Sequence, residues 1–364
     1  MPDSTNFDPM PTNPLHNFLS QQGAQFGDVA GETVARNYGD TNAEHRALTE
    51  SVALVDLSFR GCLAVLGDDR VKFINGQVTN EVAGLKPGQG CYAALVNAKA
   101  KMQADLFVYR LDDELILDFE PGLLVAVTER LESHIVADQV ELIDASPHFG
   151  LFSLQGPKTA EALAALGLVL PGEAFAHAKS PLDECGEIYV MNNGRYGAAG
   201  CDLYIPAGHL AKAAVRLAKA VEGQGGRLAG WQATEIARVE AGIPRFGIDM
   251  GNNTLPPEAN LETRAISYTK GCYIGQEIIA RIRTYGRVNR TLVGYRPDAD
   301  LAPGTQLTDD SGKTVGTLTS VIDSPRFGPI ALGLAKRGSE TPGQVLTARE
   351  PAQGQATVAE IPFR

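Results

Sequence analysis

The chain is short of the features that mark several common protein classes. It has five cysteines in 364 residues, Cys62, Cys91, Cys185, Cys201 and Cys272, and no two form a C-x-x-C pair. Its six histidines show no paired spacing either, so a zinc or iron–sulfur ligand set is poorly supported and no metal site is expected. Scattered thiols in odd number point to a reducing compartment. Basic residues are outnumbered, 32 against 43 acidic, for a net charge of −11. That balance argues against a general nucleic-acid-binding surface and leaves a local basic groove open. No apolar run approaches membrane-spanning length, and residues 1–30 lack the apolar core of a signal peptide. No G-x-S-x-G elbow is present. Ser311-Gly312-Lys313-Thr314 is not a P-loop, because Leu307 stands where the first glycine is needed. Gly88-Gln89-Gly90 and Gly197-Ala198-Ala199-Gly200 lack the dinucleotide fingerprint. These absences predict a cytoplasmic protein that needs neither membrane nor direct nucleic-acid contact.

What is present suits a globular chain of two or three domains: 44% hydrophobic and 21% charged residues. Residues 1–30 are expected to be a flexible N-terminal segment, with a short helix from Leu15 to Phe26. Ala53 to Ser58 and Gly61 to Gly67 read as strands, followed by a helix from Asp68 or Asp69 to about Gly76. Strands at Cys91–Val96, Ala104–Arg110 and Leu115–Phe119, a helix at Pro121–Val136 and a strand at Val140–Asp144 complete a first block, 31–145. A similar block, 146–287, follows with strands around the Gly194–Gly200 turn and helices near Leu210–Val221 and Trp231–Ala241. The succession is α+β rather than doubly wound, and it suggests an internal duplication. Residues 288–364 are short β-rich runs between Pro-Gly and Asp-Gly-type turns, the texture of a small antiparallel β-barrel.

The stretch with the sharpest chemistry is Lys270-Gly271-Cys272-Tyr273-Ile274-Gly275-Gln276-Glu277. Gly271 and Gly275 permit positive φ or close approach. The Ile278-Ile279-Ala280 run is too short for its period to separate helix from strand. If it is helical, Cys272 sits just before an N-terminus, where the dipole and Lys270 would favour thiolate. The bland alternative is a buried cysteine in a tight turn. Five arginines, Arg281, Arg283, Arg287, Arg290 and Arg296, form either a solvated face or a rim for an anionic ligand tail.

Thr269 to Glu277 resembles the signature of the YgfZ proteins, folate-binding relatives of the glycine-cleavage T-protein. Ala53 to Ser58, Phe73 to Asn80, Asn97 to Met102, Arg238 to Gly247, Pro256 to Leu261 and Val288 to Gly294 are similar to that family's segments in order and spacing. Ala100 stands where the family has glycine. The resemblance implies two consecutive α+β folate-binding modules with an appended barrel around a central channel. It implies tetrahydrofolate, or a one-carbon derivative, as ligand. It also implies iron–sulfur client proteins or assembly factors as partners, including enzymes that modify tRNA. Cys272 would be the functional thiol with Lys270 lowering its pKa. Gly271, Tyr273, Gly275, Gln276 and Glu277 would shape the loop. Asn97, Lys99, Lys101, Asp202 and Arg245 would meet the folate.

Two departures separate the chain from the aminomethyltransferases. T-proteins carry an Asp-Asp pair where this chain has Ala104-Asp105, so the first, catalytic aspartate is expected to be lost and Asp105 to point to the opposite face. Their Gly-Glu-Asp-Gly-x-Glu run is Gly197-Ala198-Ala199-Gly200-Cys201-Asp202 here, keeping only Asp202. A folate-binding accessory protein for iron–sulfur enzymes is therefore the leading expectation. The rivals are a tetrahydrofolate-dependent aminomethyl or methyl transferase and a ligand-free interaction module.

Overall fold

The computed structural model describes residues 15–286, 288–349 and 352–364. Two sheets face each other and a barrel closes the chain. The first sheet has five antiparallel strands in the order Gln89–Val96, Met102–Arg110, Leu115–Phe119, Gly61–Leu66 and Glu141–Asp144. The second has six, His177–Leu182, Gly186–Asn192, Gly200–Pro206, Phe149–Gln155, Ala53–Asp56 and Arg227–Leu228. Both orders run through three hairpin-linked strands, then the strand that precedes those three in its block, then a strand that follows them. The second differs in that Ala53–Asp56, from the earlier block, is inserted before the last strand, antiparallel to Phe149–Gln155, and in that the last strand then pairs parallel to it, whereas Glu141–Asp144 pairs antiparallel in the first sheet. The duplication suggested by the sequence is thus visible as repeated topology. Strands between Arg290 and Ala359 form a closed six-stranded antiparallel barrel, so the α+β modules with a terminal barrel are as expected.

Side-chain alternation along each strand explains how both sheets bury two faces. Leu63, Val65, Leu106 and Val108 pack with Phe73, Ile74, Val127 and Leu131 of the helices Arg70–Gln77 and Leu124–Glu132. Their neighbours Cys62, Ala64 and Tyr109 turn instead towards Val55, Leu151 and Tyr204 of the second sheet. The outer face of that sheet is covered by Ala213, Ala214, Leu217 and Val221 of the helix Leu210–Gly223, an i, i+3/i+4 stripe.

Two expectations need correction. Residues 15–30 are ordered rather than flexible: a helix, His16–Gln21, stops before Gly23 at φ +85°, and a hairpin strand, Gln25–Val29, follows. Leu15, Phe18 and Leu19 share one helical face and are buried in the second sheet's outer core. Burying such side chains contributes about 1.5–3 kcal/mol each, enough to offset ordering a short segment. The first part of the predicted flexible stretch, residues 1–14, lies outside the described residues. The strand His177–Leu182 escaped the sequence reading because it has no clear alternation and contains Pro181. It lies at the edge of its sheet, where a missing N–H is tolerated. Among the described residues no helix is long and apolar enough to cross a membrane.

Candidate functional site

A narrow cleft, with free space of about 50 Å³ and partly open to solvent, lies between the first sheet, the glycine-rich turn and the segment after the helix Trp231–Glu240. Its centre is built by strand alternation. On Met102–Arg110, Ala104 faces the helices with Leu106 and Val108, while Asp105 faces the cleft with Phe107. This corrects the significance given to Ala104. Asp105 does point away from it, as a one-residue offset requires, but the face it points to is the cleft. The cleft therefore has its carboxylate.

Asp105 Oδ2 accepts a hydrogen bond from the Tyr92 hydroxyl at 2.8 Å, and Oδ1 has no hydrogen-bond partner. Burial first, then the nearby Glu120 charge, pushes Asp105 up to about 6. Glu120 behaves oppositely. Burial alone would raise it, but the Arg60 and Arg245 charges and the 2.5 Å hydrogen bond from Arg60 Nη1 outweigh burial and hold it at about 2. The pair divides the labour of two adjacent carboxyls: one stays ionised, and the other can exchange a proton near neutral pH.

Behind them runs a buried ionic wall. Arg60 Nε donates to Asp118 Oδ1 at 2.6 Å, and Arg195 links Asp118 to Asp202, with Nε 2.9 Å from Asp202 Oδ2. Asp202 is fully buried and also accepts from Ser153 Oγ at 2.7 Å and Asn193 Nδ2 at 2.9 Å. It stands behind Arg195 and does not line the cleft, which corrects its expected place as a ligand contact. Arg245 does line the cleft, its guanidinium 3.8 Å over the Trp231 ring and Nη1 2.5 Å from Glu235 Oε1. The sequence reading missed Tyr92, Glu120, Arg60 and Arg195. The available signal was charge inside otherwise apolar strands, such as Asp118 within Leu115–Phe119, since a buried charge must have a partner nearby.

The cysteine motif forms a separate structure. Gly275, at φ +83°, caps the helix Gln276–Tyr285, so Ile278–Ala280 is helical. A Cβ on Gly275 would lie 2.8 Å from the Asn97 carbonyl, so only glycine lets this loop press onto the Asn97–Lys101 turn. Asn97 Oδ1 accepts from the Lys99 and Lys101 amides at 2.9 and 3.1 Å, and Lys101 Nζ donates to the Asn253 carbonyl at 2.8 Å. Asn97, Lys99 and Lys101 thus brace the motif and do not line the cleft. Gly271 has neither positive φ nor a close neighbour. Gln276 Nε2 approaches the Gly271 carbonyl at 3.5 Å, and Glu277 is exposed in the first helical turn.

Lys270 is buried, and its ammonium donates to the carbonyls of Asn75, Val78 and Asn80 at 2.6, 2.9 and 2.6 Å. Three donors meet three acceptors, so no N–H remains for a thiolate. Its expected role as activator of Cys272 is replaced by that of a staple. Burial lowers Lys270 to about 8. Tyr273 is buried beside it, its ring centroid 5.0 Å from Nζ. Cys272 is exposed, whereas Cys62, Cys91, Cys185 and Cys201 are buried. The arginine segment does not converge. Arg281 and Arg283 are exposed on the helix, Arg290 bonds the Asn253 carbonyl, Arg296 bonds the Phe327 carbonyl, and Arg287 lies outside the described residues.

A mixed two-sheet core with a carboxylate–arginine cleft and a terminal barrel defines the class, and comparison gives the family. Residues 15–270 match the GCVT N-terminal domain, and the chain belongs to that family. It is 30% identical to a chloroplastic protein of Arabidopsis thaliana provisionally named a transferase, over 99% of this chain and 82% of that one. It is 29% identical to the aminomethyltransferase of Chloroherpeton thalassium, over 97% and 99% of the two chains. The crystal structure of the glycine cleavage system aminomethyltransferase T from Bartonella henselae superposes with a TM-score of 0.86 at 26% identity, covering 96% and 97% of the two chains.

Proposed function

We propose that this protein is a tetrahydrofolate-binding member of the YgfZ type. It holds a reduced folate in the Asp105 cleft and uses the Cys272 thiol in assembling or repairing iron–sulfur enzymes, tRNA-modifying ones included. The observation that carries this reading is the placement of Cys272. It is the exposed cysteine of the five, on a loop fixed by the Lys270 staple and by the Gly275 contact. A buried structural thiol would not need that scaffold. The cleft supplies the other half: Asp105 is a proton-exchanging acceptor for a folate amine, and Phe107 and Tyr196 are aromatic walls for a flat ring.

The test is calorimetric titration of tetrahydrofolate into wild type and Cys272→Ala under anaerobic, reducing conditions. Saturable binding to both, with loss of support for a host's iron–sulfur enzymes only in Cys272→Ala, is the expected result. If the variant supports those enzymes as well as wild type, the thiol assignment fails. A second reading, a tetrahydrofolate-dependent aminomethyl or methyl transferase, is favoured by Asp105 itself, because the cleft keeps a carboxylate. One-carbon turnover by the purified protein, lost in Asp105→Asn and kept in Cys272→Ala, would select it. Partner binding without any folate binding would select the ligand-free interaction module.

A further inference from the structure

We infer that Arg264 reads an anionic tail on the ligand of the cleft, and that this tail is the glutamate, or γ-linked glutamate chain, of a reduced folate. The inference rests on the folate reading of the Asp105 cleft. Five guanidinium groups line the cleft, and four are committed within the protein. Arg60 holds Asp118 and Glu120, Arg195 holds Asp118 and Asp202, Arg238 holds Asp249 at 2.7 Å, and Arg245 holds Glu235. Arg264 has no carboxylate partner among the described residues. It is exposed, which places it at the mouth, and its guanidinium lies 5.3 Å over the Tyr92 ring.

Its position is built from behind. The short helix Glu262–Ala265 is tied to the first sheet's loop by Thr79 Oγ1 donating to the Ala265 carbonyl at 2.6 Å. Asn80 Nδ2 donates to both the Arg264 carbonyl, at 3.3 Å, and the Tyr92 carbonyl, at 2.8 Å. Tyr92 therefore spans the site, with its hydroxyl on Asp105 and its ring under Arg264. A ligand that offers a protonatable amine at one end and a carboxylate at the other matches that polarity. An unpaired planar guanidinium resting on an aromatic ring is suited to a carboxylate, which it can take in two parallel hydrogen bonds. Of the arginines that the sequence offered for the tail, the described ones, Arg281, Arg283, Arg290 and Arg296, do not line the cleft.

The experiment titrates three probes into the full chain under anaerobic, reducing conditions: tetrahydropteroamide, which has neither glutamate nor free carboxylate, tetrahydrofolate, and its triglutamate. Wild type is expected to bind them in rising order of affinity. Arg264→Ala is expected to weaken the two tailed ligands roughly five- to tenfold, the scale of a partly exposed charge pair, and to leave tetrahydropteroamide within about twofold. Arg264→Lys is expected to keep part of the preference, and both variants to melt as wild type does. If Arg264→Ala weakens all three probes alike, or none, Arg264 does not read the tail even though the folate site stands. If folded wild type binds none of the three, the folate reading of the cleft falls and the inference falls with it.

Discussion

Replacing Asp105 by asparagine should make the protein more stable and less able to act. Folding raises this carboxyl from 3.8 to about 6, chiefly by burial. A carboxyl with a raised folded pKa contributes most when protonated, and that contribution is lost as pH rises between 3.8 and about 6. At pH 7 the ionised group therefore costs the fold on the order of 3 kcal/mol relative to its protonated form, a cost that almost vanishes by pH 4. Asparagine has the same shape, carries no charge, and still accepts from the Tyr92 hydroxyl. Asp105→Asn should thus raise the melting temperature by about 4 °C at pH 7, for a chain of this length unfolding as one unit, and by less than about 1 °C at pH 4. The assay is differential scanning calorimetry across that pH range, beside folate titration. A gain independent of pH, or a loss at pH 7, would refute the assignment of a buried, reluctantly ionised carboxylate. A stabilised variant that binds or turns over folate poorly would show destabilising charge kept for function.

Glu120→Gln should do the reverse. The carboxylate held at about 2 contributes stability present above its unfolded value of 4.5, so the variant should lose about 3 kcal/mol at pH 7, with a lower melting temperature and little change near pH 2. Gly275→Ala puts a methyl against the Asn97 carbonyl at a left-handed φ and should cost about 1–3 kcal/mol, read as a lower melting temperature with altered Cys272 alkylation. A thiol reagent applied to the native protein should titrate one cysteine fast and four only on unfolding, and Cys272→Ala should abolish the fast phase. Lys270→Met leaves three carbonyls without their donor and should cost about 2–3 kcal/mol, and it should loosen the Cys272 loop, seen as faster proteolysis there.

The strands and most helices were legible because their patterning is local. Leu63 and Val65 alternate with Cys62 and Ala64, and the 210–221 stripe repeats at helical spacing. What is settled only by distant neighbours was not. Nothing near Ala53 says that its strand leaves its own block to join Phe149–Gln155. The face of Met102–Arg110 that meets the cleft depends on which side the helices cover, so the sequence could separate Ala104 from Asp105 but not say which one faced the site. Lys270 stands two residues from Cys272, and proximity in sequence suggested activation. The carbonyls that claim its ammonium come from residues 75–80, almost 200 positions earlier. Ala100 shows a local conflict of the same kind. It sits at φ +56°, a left-handed conformation that glycine adopts freely, at a cost of about 1–2 kcal/mol. Its methyl is fully buried with Ile266, Tyr273 and Ile279, which returns about 0.8 kcal/mol.

The cleft and the thiol are separate sites, yet residues 75–80 serve both. The Asn75, Val78 and Asn80 carbonyls hold Lys270 and so the Cys272 loop, while the Thr79 and Asn80 side chains hold the helix that carries Arg264 and the strand that carries Tyr92. If the proposed ligand binds at Asp105 and Arg264, it bears on the same short segment, residues 75–80, that holds Lys270. Coupling between two sites requires a shared element whose state both can bias, and this segment is the one the hydrogen bonds identify. The rate of Cys272 alkylation with and without bound folate measures that coupling directly. A folate-dependent rate that becomes folate-independent in Thr79→Val, which keeps the shape of the side chain but removes both the Ala265 tie and the acceptor of the Ala94 amide, would locate the coupling in this segment. Equal rates with and without folate in wild type would mean that the two sites act independently.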